Sequence, residues 1–163
     1  MGLGAVLQVL ALLLAPATVT RGPVVTQTTA TGAVVTWSMS SPVPASLAIA
    51  GRNPIASAIL PTRSATVAGL EAGTRYAYAI RTGDGATVAT GSFRTDPGPS
   101  GRFTAAVFGD YGDGGRGERE VAALASSWTP DMTVSTGDNV YLFAAGGFLL
   151  DPNLFAPLRD LLV

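Results

Sequence analysis

A small antiparallel β-sandwich followed by a βαβ unit is the architecture that the sequence predicts. Three observations carry it. Residues 21–95 hold short, closely spaced runs rich in β-branched and aromatic residues, divided by turns and without helical periodicity. Asp96-Pro97-Gly98-Pro99-Ser100-Gly101 then breaks all periodicity, because Pro and Gly at that density continue neither strand nor helix. Beyond it, strand, helix and strand patterns follow within about 35 residues, the span of a parallel βαβ unit.

In the first part, Gly32 to Ser38 reads as a strand rich in β-branched residues, with Trp37 large enough to anchor a core. Leu47 and Ile49 alternate with smaller residues, and Thr66-Val67-Ala68 ends a further strand. Glu71-Ala72-Gly73-Thr74 is turn-rich. Tyr76, Tyr78 and Ile80 then repeat at period two, so one face of their strand is large and apolar. Gly83-Asp84-Gly85 signals a hairpin, and Thr87 to Phe93 is the returning strand. In the second part, Phe103 to Phe108 is a short apolar run that suits a buried parallel strand. Gly112 to Gly117 is a glycine-rich turn. Arg116 to Ser127 carries Val121, Leu124 and Ala125 at helical spacing, with Glu118, Arg119 and Glu120 among its polar positions. Pro130 stops that helix, and Met132 to Thr136 is the second strand. Leu154, Phe155, Leu158, Leu161 and Leu162 have the spacing of one more helix.

Composition narrows the function classes. Of 163 residues, 47% are hydrophobic and 13% charged, which favours a packed core over disorder. A formal charge of −1 provides no basic field for nucleic acid or anionic lipid. The chain has no Cys, which excludes disulfides and thiolate metal sites, and no His, the commonest metal ligand and general base. Ala5 to Ala15 is apolar except for Gln8, and Ala15-Pro16-Ala17 has the form of a cleavage site. Residues 1–17 therefore read as a signal peptide, with a secreted or periplasmic destination. The run is shorter than the roughly 20 apolar residues that span a bilayer.

The chemistry is expected at two identical dipeptides, Gly109-Asp110 and Gly137-Asp138, one at the end of each parallel strand. On neighbouring strands both carboxylates project at the carboxyl edge of the sheet, where α/β folds bind ligands. Two ionised carboxylates held close repel unless a cation lies between them. Tyr141 follows Asp138 by three residues, so one loop can present both side chains to one metal. Asn139 and Asp113 read as loop formers, Tyr111 as a packing or rim residue and Arg116 as a solvated one.

Gly69-Leu70-Glu71-Ala72-Gly73-Thr74-Arg75-Tyr76 resembles the corner of fibronectin type III domains at which a Tyr hydroxyl ties the turn to backbone, and Trp37 matches their strand-B Trp. Arg21-Gly22-Pro23 is similar to the start of the N-terminal domain of purple acid phosphatases. Gly109-Asp110-Tyr111-Gly112 and Gly137-Asp138-Asn139-Val140-Tyr141 resemble that family's first two motifs, GDxG and GDxxY. The resemblance implies a fibronectin type III-like domain over 21–96, a linker over 97–102 and the opening of a calcineurin-like metallophosphoesterase domain over 103–163. It implies metal ligation by Asp110 on trivalent iron, by Asp138 between two metals and by Tyr141 on the iron, in a dinuclear centre of Fe with Zn, Mn or Fe. The implied reaction is hydrolysis of a phosphomonoester by a metal-activated water. The family's later motifs, an Asn-His pair, a VxxH and a GHxH, have no counterpart in a chain without His, and Asn153 in Asp151-Pro152-Asn153-Leu154 lies outside their context. The expectation is a fragment that supplies half a metal site and no catalytic residue.

Two other readings use the same residues. Gly112-Asp113-Gly114-Gly115-Arg116-Gly117 fits the G-x-G-x-x-G of dinucleotide-binding units, with Asp138 lying 21 residues after Gly117 as the ribose-binding acid. Against it, Asp110 would set a carboxylate before the helix end that receives the pyrophosphate. The other reading is a non-catalytic, exported fibronectin-like binding module.

Overall fold

In the computed structural model the described residues are 15–141 and 150–162, so the expected signal peptide lies outside them except for its last three positions. Seven strands form two antiparallel sheets: β1 (Val19–Thr26), β2 (Gly32–Met39), β3 (Ala45–Ile49), β4 (Ile55–Ala56), β5 (Thr62–Ala68), β6 (Arg75–Thr82) and β7 (Thr87–Arg94). One sheet has the order β1-β2-β5 and the other β4-β3-β6-β7. This is a fibronectin type III-like sandwich, followed by a small α/β portion.

Alternation explains why these residues pair in this register. In β5 Arg63, Ala65 and Val67 point inward while Thr62, Ser64, Thr66 and Ala68 face solvent, and Val35 and Trp37, their neighbours on β2, are fully buried on the same inward face of the sheet. Leu47 and Ile49 from β3 and Tyr78 and Ile80 from β6 complete the core, with Phe93 of β7 beside the Tyr78 ring. The expected corner is present: the Glu71 N–H donates to the Tyr76 hydroxyl at 3.0 Å. Sequence patterning does not announce β1, whose register slips on either side of Arg21, nor the two-residue β4. Nor does it announce the burial of Arg63, which is compensated by hydrogen bonds to the carbonyls of Leu60 (3.0 Å), Val43 (2.6 Å) and Ser41 (3.2 Å).

After the Pro- and Gly-rich segment, which contains neither strand nor helix, β8 (Ala105–Phe108) pairs in parallel with β9 (Met132–Ser135), and α1 (Arg116–Ser127) joins them. The final described segment makes a π-helical turn, Asp151–Phe155, and a 3-10 turn, Arg159–Leu161. Ala106 of β8, Ala122 and Ala125 of α1, and Leu158 and Leu161 form a second small core.

Two expectations for this part need correction. The face of α1 that packs is not the Val121–Leu124 stripe: those side chains are 60% and 58% exposed, while Glu118, Ala122 and Ala125 are buried. Leu158 and Leu161 supply the bulk on that side, so small residues on the helix let the two segments approach closely. The strand from Phe103 to Phe108 is also less buried than its apolar run suggests. Ala106 faces the helix, but Phe103 and Val107 are exposed, because among the described residues nothing covers the other face of β8 and β9.

The sandwich and the α/β portion are joined by ion pairs of one polarity. Asp131, just before β9, accepts from Arg75 (2.7 Å), Arg94 (3.0 Å) and the Thr104 N–H (3.0 Å). Asp151 pairs with Arg21 at 2.5 Å, and the Arg21 guanidinium lies 4.8 Å from the centre of the Phe155 ring. The Val25 N–H donates to the Leu162 carbonyl at 2.9 Å.

Candidate metal centre

Parallel pairing fixes where the two aspartates lie. Phe108 is opposite Ser135, so two residues further along each strand Asp110 comes opposite Gly137, and the Asp110 N–H donates to the Gly137 carbonyl at 3.2 Å. Both aspartates have left-handed backbone, with φ of +60° at Asp110 and +52° at Asp138. Asp tolerates that region better than most residues, yet a non-glycine there still costs about 1 kcal/mol or more. The preceding glycines serve different purposes. Gly137 itself has φ of +123°, open to few other residues, whereas Gly109 is needed for space because a Cβ would strike the Thr136 hydroxyl.

The two strand-end loops meet at Gly112. Its N–H donates to the Asp138 carbonyl at 3.2 Å, and its carbonyl accepts the Tyr141 N–H at 2.7 Å. A side chain at position 112 would collide with the backbone of Asn139 and Val140. With the loops held this way the Tyr141 hydroxyl donates to the Asp110 carboxylate. The structure therefore joins Asp110 and Tyr141 directly. Asp138 is tied in through its backbone, and its exposed carboxylate makes no hydrogen bond or ion pair among the described residues. Tyr111 packs edge-on against Phe108 with ring centres 5.0 Å apart and donates to Asn139 at 2.6 Å, the rim role expected of it. Arg116 is solvated and, among the described residues, pairs with Glu120 alone.

Asp110 and Tyr141 line a cavity of about 330 Å³ together with Asp113, Glu118, Val121 and Leu158, and Asp138 does not line it. Glu118 is the unexpected member. Placed among the polar positions of the helix by its sequence context, it is only 8% exposed, and its Oε1 has no partner among the described residues. Burial raises its pKa above the ordinary Glu value; the Gly114 N–H opposes the rise and Asp113 adds to it. The sequence signal was available: with Gly115 as N-cap, Glu118 stands at the third helical position, from which an acid reaches back to the first amides.

That arrangement bears on the dinucleotide reading. The amides a pyrophosphate would use are already taken, Gly114 N–H by Glu118 at 2.6 Å and Gly115 N–H by Asp113 at 2.6 Å. The Gly-rich pattern is accounted for by backbone contacts and carboxylate caps within the chain. A larger cavity of about 650 Å³ lies between the sandwich and the α/β portion, where Arg75, Arg94 and Asp131 already satisfy one another. Among the described residues no group of three or more His, Cys, Asp or Glu is placed to hold a metal, and no helix is long and apolar enough to cross a membrane.

No protein-family model matches the chain, and no curated protein matches it. Among solved structures, that of PhoD is similar with a TM-score of 0.63 at 14% identity, covering 91% of this chain. The sensor domain of the anti-sigma factor RsgI4 in Pseudobacteroides cellulosolvens covers 51% of this chain and 97% of its own at 16% identity and a TM-score of 0.39. The fibronectin type-III domain of human fibronectin type III domain containing protein 3 covers 52% and 92% at 21% identity and a TM-score of 0.38. The chain spans 38% of the length of PhoD. The likeness to PhoD, at 14% identity, is one of fold alone: a sandwich followed by a small α/β portion.

Proposed function

We propose that the α/β portion supplies part of the metal site of a phosphoric monoester hydrolase of the purple acid phosphatase type, with Asp110, Asp138 and Tyr141 as ligands. The observation that supports this most is the meeting of two strand-end loops, each carrying a left-handed Asp, with the Tyr141 hydroxyl on the Asp110 carboxylate. The donor set suits the group. Two carboxylates and a phenol are hard oxygen ligands, matched to iron, manganese or zinc in an oxygen-rich site. The Tyr141 hydroxyl and the Asp110 carboxylate lie side by side, so both oxygens would be available to one cation. When bound, the metal would supply Lewis acidity toward a phosphoryl oxygen and a water of lowered pKa. Asp110 and Tyr141 would hold it, with Asp138 as the further ligand proposed from the neighbouring strand end. The chain has no imidazole to protonate a leaving alkoxide, so metal binding, not turnover, is the property to measure. In this reading the apolar segment at residues 5–15 would serve as a signal peptide and the protein would act outside the cytoplasm.

The test is a titration of the full chain with ferric ion, followed by zinc or manganese. Saturable binding with a visible tyrosinate-to-iron absorption band is expected, with the band lost in Tyr141→Phe and affinity reduced at least tenfold in Asp110→Asn and Asp138→Asn. Equal affinity in all four proteins would sink the proposal. Retained binding of a nicotinamide dinucleotide instead of metal would favour the competing reading.

A further inference from the structure

We infer that Asn153 is a positioning residue for the Asp110–Tyr141 pair, acting through the Gly112 carbonyl. The inference rests on the reading of Asp110, Asp138 and Tyr141 as ligands. Asn153 lies in the π-helical turn, is 7% exposed, and donates from Nδ2 to the Gly112 carbonyl at 3.1 Å. The same carbonyl accepts the Tyr141 N–H. A carbonyl oxygen has two lone pairs, so these two donors fill it. The N–H of the same residue is committed to the Asp138 carbonyl. Gly112 thus binds both strand-end loops, and Asn153 is the side chain from a third segment that holds it there.

The fit is mutual. The Asn153 Oδ1 sits against Gly114, where a Cβ would lie 2.7 Å away, and Gly114 has φ of +69°. A buried carboxamide costs free energy unless bonded, and the residue that satisfies it is the residue between the two proposed ligand loops. Asn153 touches neither Asp110 nor Tyr141 by any hydrogen bond among the described residues, so its influence is on where those side chains are held.

The experiment compares wild type, Asn153→Leu and the isosteric Asn153→Asp by amide hydrogen exchange and by ferric-ion titration of the full chain. Exchange at the Tyr141 N–H is expected to quicken at least tenfold in both variants near neutral pH, with β2 amides such as Val35 unchanged. Iron affinity should fall at least tenfold. At acid pH Asn153→Asp regains a donor when protonated, so its Tyr141 protection should return toward wild type while that of Asn153→Leu does not. Unchanged Tyr141 exchange in both variants overturns the inference even if iron binds. Quickened Tyr141 exchange in the variants, with no iron taken up by the wild-type chain, leaves the positioning role standing and removes the metal reading.

Discussion

Tyr76 and Tyr78 offer a test of the sandwich in which one chemical change should have opposite signs at two sites. Both rise from the same face of β6, with ring centres 5.9 Å and 6.2 Å from that of Phe93. The Tyr76 hydroxyl accepts the Glu71 N–H at 3.0 Å, whereas the Tyr78 hydroxyl is buried without a partner among the described residues. Replacing Tyr76 by Phe removes one hydrogen bond whose net worth is about 0.5–1.5 kcal/mol, so a loss near 1 kcal/mol is expected. Replacing Tyr78 by Phe removes a hydroxyl whose desolvation is uncompensated, a burden of about 1–3 kcal/mol. The vacated volume is one oxygen and the ring stays, so the expected result is a gain of about 1 kcal/mol. Burial also pushes the Tyr78 phenol well above the usual tyrosine range, the direction a dry, unbonded hydroxyl requires. Urea unfolding followed by Trp fluorescence should separate the two variants by about 2 kcal/mol at an unchanged m-value. Equal losses in both would refute the reasoning, since they would mean that the Tyr78 hydroxyl is satisfied by a buried water.

Two further predictions concern pH. Glu118, its carboxyl pKa raised by burial, holds its proton more tightly folded than unfolded, so its contribution is fully present below the ordinary Glu value of about 4.3 and is lost as pH rises through the folded value. Glu118→Gln should therefore gain on wild type as pH rises from 4 to 8 in denaturant melts, and a difference that does not vary with pH would contradict the assignment. Asp131 behaves oppositely: burial works against its charge, but the Thr104 N–H, Arg94 and Arg75 outweigh it and its pKa is lowered. Its stabilisation is present above the unfolded value of about 3.9 and fades as pH falls through the lower folded one, so the gap between wild type and Asp131→Asn should close below about pH 4.

Periodicity made the sandwich legible because its signal is local. Val35 and Trp37, Leu47 and Ile49, and Tyr76, Tyr78 and Ile80 each declare an inward face by alternation alone, and Tyr76 at the corner has the hydrogen bond its motif implies. Helical spacing located α1 but mistook its packed side, because the choice between Val121 and Ala122 depends on Leu158 and Leu161 more than thirty residues away. At the site, the dipeptides Gly109-Asp110 and Gly137-Asp138 are visible as repeats, and what the two share in the structure is left-handed backbone at the Asp. Asn153 was not legible. Its role is a single hydrogen bond to a backbone carbonyl 41 residues earlier, and backbone partners leave no pattern in side-chain identity.

The ion pairs between the two parts bear on what the sandwich is for. The exposed Arg21–Asp151 pair contributes about 0–1 kcal/mol, and Arg75 is itself half exposed, so the pairs are poor evidence of stability. Their placement is better evidence of orientation. Asp131 immediately precedes β9, whose far end leads to Asp138; Asp151 lies two residues before Asn153, which bonds Gly112. One anchor thus holds the strand that leads to Asp138, and the other holds the turn whose Asn153 bonds Gly112. A two-stranded parallel sheet with one uncovered face has little stability of its own, and it is held here at both of the elements that fix the site. A free binding module would have no need to point Arg21, Arg75 and Arg94 at carboxylates of the following segment. Arg21, Arg75 and Arg94 are each paired with a carboxylate of the α/β portion, so their charge is directed at that portion of the chain.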